Sequence, residues 1–181
     1  MSGTARNVRL YPWFKFFQNL MFWQAIWFLF FQSELSAAQA IMIYVIVDIA
    51  TTVFEVPSGF FSDRVGRRIT LIVSVVAGVM AALVQAFGTE FWVFAAAQVA
   101  LGIHGAFASG TDSSFLYESL AKEGREDEVE EHELRAWRFS FVALAISAVA
   151  GGVLALWDLR EHYLATAATD VALMVVVFYC V

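Results

Sequence analysis

The sequence predicts an all-α membrane protein with six transmembrane helices, on three observations. Of its 181 residues, 60% are hydrophobic and only 15% charged. A soluble domain is about 45–50% apolar and about 25% charged, and a soluble fold of this length cannot hide so much apolar surface. The apolar residues fall into six runs, most close to the about 20 helical residues that a hydrocarbon core of about 30 Å requires. The basic residues between those runs gather on alternate loops, as the positive-inside rule demands of a multi-pass protein.

The first span covers residues 11–31. Arg6 and Arg9 precede it, as in a secretory signal, but the run exceeds the about 7–15 apolar residues of a signal core and is crowded with Phe and Trp, so it reads as a retained span. The second, 38–61, contains Pro57, which removes one backbone hydrogen bond and predicts a kink. The third, 69–87, has Gly78, Ala82 and Ala86; the fourth, 91–109, has Gly102 and Ala106, with Gly110 just beyond; the fifth, 139–157, has Ser147, Gly151 and Ala155. Each of these sets repeats every four residues and makes a face for close backbone packing. The sixth runs from Tyr163 to Val181. Segments rich in Val and Ile are still helices here, because lipid-facing backbone must satisfy its own hydrogen bonds.

The connectors at 33–37, 88–90 and 158–162 are short, whereas 117–138 is long and charged. It predicts an amphipathic or water-facing helix, either a plain connector or a regulatory element. Arg6, Arg9, Lys15, Arg64, Arg67, Arg68, Lys122, Arg125, Arg135 and Arg138 fall on one side, and Arg160 alone on the other. That asymmetry puts the N-terminus and the loops after spans two and four in the cytoplasm, and acidic residues barely affect the rule. Tyr11, Trp13, Trp92, Trp137, Trp157 and Tyr163 fall near predicted span ends, where amphipathic rings favour the interface.

Several function classes are excluded. The net charge of −6 and the lack of a basic run leave no nucleic-acid partner. No P-loop, zinc spacing or G-x-S-x-G elbow occurs, so the sequence calls for no ATP site, metal, cofactor or enzyme activity. The single cysteine, Cys180, cannot form an intramolecular disulfide.

The stretch 55–68 reads EVPSGFFSDRVGRR. Gly59 predicts close approach of another helix, Asp63 a carboxylate at the membrane edge that meets a helix N-terminus or an arginine, and Gly66 a sharp turn. Arg67 and Arg68 anchor the loop in the cytoplasm. The stretch resembles the cytoplasmic loop motif of the major facilitator superfamily, G-x-x-x-D-[RK]-x-G-[RK]-[RK], which lies between the second and third spans. Gly59, Asp63, Arg64, Gly66, Arg67 and Arg68 fill every fixed position. With residues 110–117, GTDSSFLY, at the close of span four, the chain looks like bacterial members of that superfamily.

The resemblance implies the N-terminal half of a twelve-span fold, built of two three-helix repeats, that alternates access by rocking one half against the other. On that basis residues 1–181 are expected to be one six-helix transporter domain of a longer protein, in the cell (inner or plasma) membrane. Asp63 is then expected to contact the missing C-terminal half and latch the cytoplasmic side, and Arg67 or Arg68 to pair with an acid such as Asp112 or Glu118. One departure is Gln98, which stands where many proton-coupled drug exporters of the superfamily carry a basic residue.

A charge at mid-bilayer costs at least about 2.5–3.5 kcal/mol on insertion scales, so each one needs a reason. Asp48 and Glu55 are seven residues apart and share one side of span two. They serve either proton coupling and cation binding or a structural hydrogen-bond seam against the missing half. Asn19, Trp23 and Trp27 fall at four-residue spacing in span one, beside Gln18 and Gln24. The resemblance implies that spans one and four line a central cavity. An aromatic-plus-amide face suits a small amphipathic organic solute, though such rings also pack against lipid. Span four offers Gln98 and His104, the latter a titrating or a packing histidine, and Asp170 in span six is a further candidate. The sequence therefore points to a secondary transporter of a small-molecule solute, with a coupling proton or sodium ion, solvated by the lipid bilayer. A receptor or assembly factor on the same scaffold is the alternative.

Overall fold

A computed structural model describes residues 3–179, and these form helices, turns and short connectors without a strand. The helices are α1 (Gly3–Gln18), α2 (Trp27–Glu34), α3 (Ala37–Val65), α4 (Arg67–Phe87), α5 (Phe91–Ala108), α6 (Thr111–Ala121), α7 (Val129–Leu154) and α8 (Glu161–Tyr179), with a 3₁₀ turn at Glu126–Glu128. Five stretches are long and apolar enough to cross a membrane: Ala37–Val65, Arg67–Phe87, Phe91–Ala121, Glu126–Leu154 and Glu161–Tyr179. They correspond to predicted spans two to six. The last two residues predicted for span six, Cys180 and Val181, lie outside the described residues.

The first predicted span is not one helix. α1 ends at Gln18, residues 19–26 are irregular, and α2 begins at Trp27. The physical reason lies in the neighbours. Asn19 Nδ2 donates to Lys15 O at 2.9 Å and to Ser140 Oγ of α7 at 3.2 Å, a side-chain alternative to helical bonding. The freed backbone finds partners on α8: Phe22 N–H donates to Thr166 Oγ1 at 3.2 Å, and Thr169 Oγ1 donates to Leu20 O at 3.3 Å. A Cβ on Gly151 of α7 would sit 2.1 Å from Phe22 O, so that glycine admits the break. Non-helical backbone at membrane depth is tolerated only where protein or a water-filled cavity surrounds it, and here α7 and α8 supply the surrounding protein.

The small-residue faces pack within the helices, whereas Gly110 lies beyond α5, is exposed and has no described atom within 4 Å of a Cβ placed there. Gly78, Ala82 and Ala86 are buried on α4, and Gly102 and Ala106 on α5. A Cβ on Gly102 would lie 2.5 Å from Ala50 Cβ and 2.9 Å from Thr51 N, so α3 and α5 touch backbone to backbone there. Ser58 Oγ donates across the same contact to Ala106 O at 2.9 Å. α3 runs on through Pro57 without a break.

Other expectations need correction. Tyr11 and Tyr163 are each only 1% exposed and anchor the interior, whereas Trp13, Trp92, Trp137 and Trp157 remain exposed. Tyr11 joins an apolar cluster with Val8, Phe14, Leu71 and Leu116, and Tyr163 one with Phe30, Phe31 and Phe94. Gly59 is exposed and no described atom lies within 4 Å of a Cβ there, so no described helix makes the close approach predicted from it. The charged stretch 117–138 is not a separate helix either. It divides between the end of α6 and the start of α7, which projects beyond its apolar part, and Gly124, with φ +68°, turns the chain between them.

Arg160 ties the end opposite the Arg67 loop. Its guanidinium donates to Ala86 O at 2.8 Å, Gly88 O at 3.0 Å and Glu34 at 2.5 Å. It thereby joins α2, the start of α8 and the carbonyl end of α4, and a cation suits the helix dipole at that end of α4.

Candidate functional site

A cavity of about 430 Å³ opens among the helices, within the about 300–1,000 Å³ typical of small-molecule sites. Its walls draw on the break in span one, on α3, on α5 and on the start of α6, with contributions from α4, α7 and α8. Of the candidates read from the sequence, Asn19, Trp23, Trp27, Asp48, Gln98, His104 and Asp112 all line it. Four-residue spacing is not what joins the first three, since Asn19 and Trp23 belong to the irregular segment; the break itself turns them to the cavity.

The walls divide chemically. Trp27 stacks on Tyr44 of α3, with centroids 4.7 Å apart and an interplanar angle of 24°, which makes a flat aromatic plate. Gln98 Nε2 donates to Gln85 Oε1 at 3.1 Å, and Gln85 Nε2 donates to Ala81 O at 3.2 Å. The buried amides thus orient each other. His104 Nδ1 lies 2.9 Å from Ser74 O. A carbonyl only accepts, so Nδ1 carries the hydrogen of this contact. Ser74 Oγ closes the arrangement by donating to His104 O at 2.8 Å.

At the α6 end of the cavity, Lys15 Nζ forms an ion pair with Asp112 Oδ2, and their side chains are only 14% and 6% exposed. Asp112 Oδ1 also accepts from Ser113 N–H at 2.7 Å, and Lys15 lies over the rings of Tyr11 and Trp137. Asp112 is therefore engaged by Lys15 and not by the loop arginines. Asp48 has no ion-pair partner among the described residues and is exposed on α3. Glu55, two turns along, is exposed outside the cavity walls.

The loop motif forms a second locus. Gly66, with φ +92°, makes the turn between α3 and α4, a conformation that costs glycine little. Arg67 donates to Ser62 Oγ at 2.8 Å and to Asp63 at 2.9 Å, and its Nε reaches Glu118 of α6 at 3.0 Å. Of the two arginines and two acids weighed from the sequence, the pair is Arg67 with Glu118. Arg68 donates to Phe178 O of α8 at 2.7 Å, and Arg64 lies 4.4 Å over the ring of Phe60. Asp63 keeps a side chain 70% exposed despite its ion pair.

Sequence reasoning missed Lys15, Tyr44, Gln85, Trp137 and Ser140 as cavity residues. Lys15 counts, in the one-sided basic set, only among the residues that orient the protein. Its position inside an apolar run was the available signal, because an intramembrane lysine marks a site by default.

Residues 12–128 match the family described as Sugar (and other) transporter. None of the curated proteins matches the chain. The match covers more than half of the sequence and includes the loop motif and most of the cavity, and the chain belongs to that transporter family of the major facilitator superfamily.

Proposed function

We propose that the protein is a secondary transporter that moves a small neutral polyhydroxylated solute of the sugar class by alternating access, driven by an ion gradient. The observation that carries this reading is the single cavity that gathers the Trp27–Tyr44 plate, the Gln85–Gln98 amide pair, Asn19 and Asp48. A sugar has apolar C–H faces that stack on aromatic rings and hydroxyls that exchange hydrogen bonds with amides and a carboxylate. The Lys15–Asp112 pair cancels its own charge, so the cavity does not select for an anion. The family description supports the same solute class.

A second six-helix unit completes the path in this proposal. Asp48 and Thr52 are exposed on α3, and a carboxylate on such a face is too costly to leave to lipid. The Arg67–Glu118 end faces the cytoplasm of the cell membrane, in keeping with the one-sided arginines, and exposed Asp63 latches that end against the second unit. The test is uptake and counterflow of labelled monosaccharides and disaccharides by the full-length protein in vesicles, with an imposed proton or sodium gradient. Accumulation is expected, with Asp48→Asn lowering it at least tenfold. Asp63→Ala is expected to raise the labelling of cavity cysteines by a reagent added on the cytoplasmic side. No sugar movement under any gradient sinks the transport reading, and unchanged labelling in Asp63→Ala sinks the latch.

A further inference from the structure

A second, smaller cavity of about 20 Å³ lies behind the central one, with room for about one water molecule. The two share the walls formed by Trp23, Gln85, His104 and Tyr163. On its far side stands Asp170 of α8, 7% exposed. Its carboxylate has no hydrogen-bond or ion-pair partner among the described residues. Gly78 of α4 lies between this carboxylate and His104: a Cβ there would be 2.9 Å from His104 Nδ1 and 3.2 Å from Asp170 Oδ2. A buried carboxylate without a partner is expensive in a membrane and marks a site.

We propose that Asp170, facing His104 across Gly78, is the proton-binding site that couples transport to a proton gradient, set in the small cavity behind the solute site. The proposal rests on the transporter reading above. A hydronium ion gives one proton to an Asp170 oxygen: its O–H bond breaks, an O–H bond forms on the carboxyl group and a water molecule is left, and the reverse transfer to water later releases the proton on the opposite side. The volume excludes a bound sugar, and Asp170, the single carboxylate in the walls, offers a proton its acceptor. The titratable groups in the walls are few. α5 contributes His104 and α8 contributes Tyr163, while α4 offers Gly78, Ala82 and Gln85, and the segment around the break offers Gln18, Met21 and Trp23. None of the latter six carries a charge. Because His104 and Gln85 stand in both cavities, occupancy of one changes the other, and by linkage the effect is reciprocal.

Two measurements on the full-length protein in vesicles test this. Infrared difference spectra across a pH titration report carboxylic-acid C=O bands without any solute. One titrating band is expected to vanish in Asp170→Asn, to remain in the control Glu161→Gln, and to move in frequency in His104→Gln, which keeps a side chain of similar polarity. A band set unchanged in both Asp170→Asn and His104→Gln overturns the proposal. In the second measurement, Asp170→Asn is expected to retain sugar counterflow but to lose accumulation driven by a pH gradient, leaving equal concentrations on both sides. Native-like accumulation in that variant overturns the coupling role, as does a sodium gradient that replaces the proton gradient. Absence of all sugar movement in the native protein defeats the transporter reading instead, and the infrared bands still decide the proton site.

Discussion

Gly151→Ala is expected to destabilise the protein by about 3 kcal/mol, the upper part of the range for overpacking, while Gly152→Ala next to it is neutral. The contrast follows from what a methyl group meets at each position. At Gly152 it meets nothing within 4 Å, whereas at Gly151 it meets Phe22 O at 2.1 Å and Phe22 C at 3.0 Å. A flexible side chain yields to such a contact. A carbonyl of the main chain cannot, because Phe22 N–H and Leu20 O are held on either side by Thr166 and Thr169. Relief requires the whole segment 19–26 to move away from α7, in an interior packed as densely as an organic crystal. The same segment carries Asn19 and Trp23 into the cavity, so Gly151→Ala also weakens solute binding, although Gly151 is not a wall residue. Thermal unfolding in detergent, followed by tryptophan fluorescence, compares the two alanine variants directly. Equal melting temperatures would mean that the break in span one is not seated on Gly151.

This break also shows where sequence reasoning reaches its limit. Spans two to six were legible because each is a local property: enough consecutive apolar residues to cross a bilayer admit only a helix. The turn at Gly66 and the loop motif were legible for the same reason. Residues 11–31 satisfied that local criterion as well, and their irregular centre arises from Asn19, Thr166, Thr169 and Gly151, three of which stand more than a hundred positions away in the chain. No window of sequence contains that information. The cavity was partly legible, since intramembrane Asp48, Gln98 and His104 each demanded an explanation. Tyr44 and Trp137 gave no such signal, because an aromatic ring in a span or at its end is as much at home in lipid or at the interface as in a cavity. Glu55 gave the signal but lies outside the walls. A carboxylate read along one helix shows its side of that helix and not what covers it.

The ion pair of Lys15 and Asp112 yields the other large effect. Lys15→Met should cost about 3–5 kcal/mol, the usual penalty for removing one partner of a buried pair. With Asp112 only 6% exposed, its carboxylate would lose its counter-charge and keep only neutral donors, the Ser113 N–H at 2.7 Å and the Ser113 Oγ at 3.4 Å. Asp112→Leu should be costly by the same reasoning, since it strands the Lys15 ammonium beside Tyr11 and Trp137. Combined, the two substitutions remove both charges, and desolvation no longer opposes folding. The double variant is therefore expected to recover most of the loss. It falls short of the native protein by about 1 kcal/mol, because Asp112 is an acidic residue in the first turn of α6, where it suits the helix dipole. A double-mutant cycle on melting in detergent reads this as a coupling of several kcal/mol. Strictly additive losses would show that the two side chains act independently and that the cavity carries an unpaired lysine. That result would count against a neutral solute, since an uncompensated cation in the wall favours an anionic one.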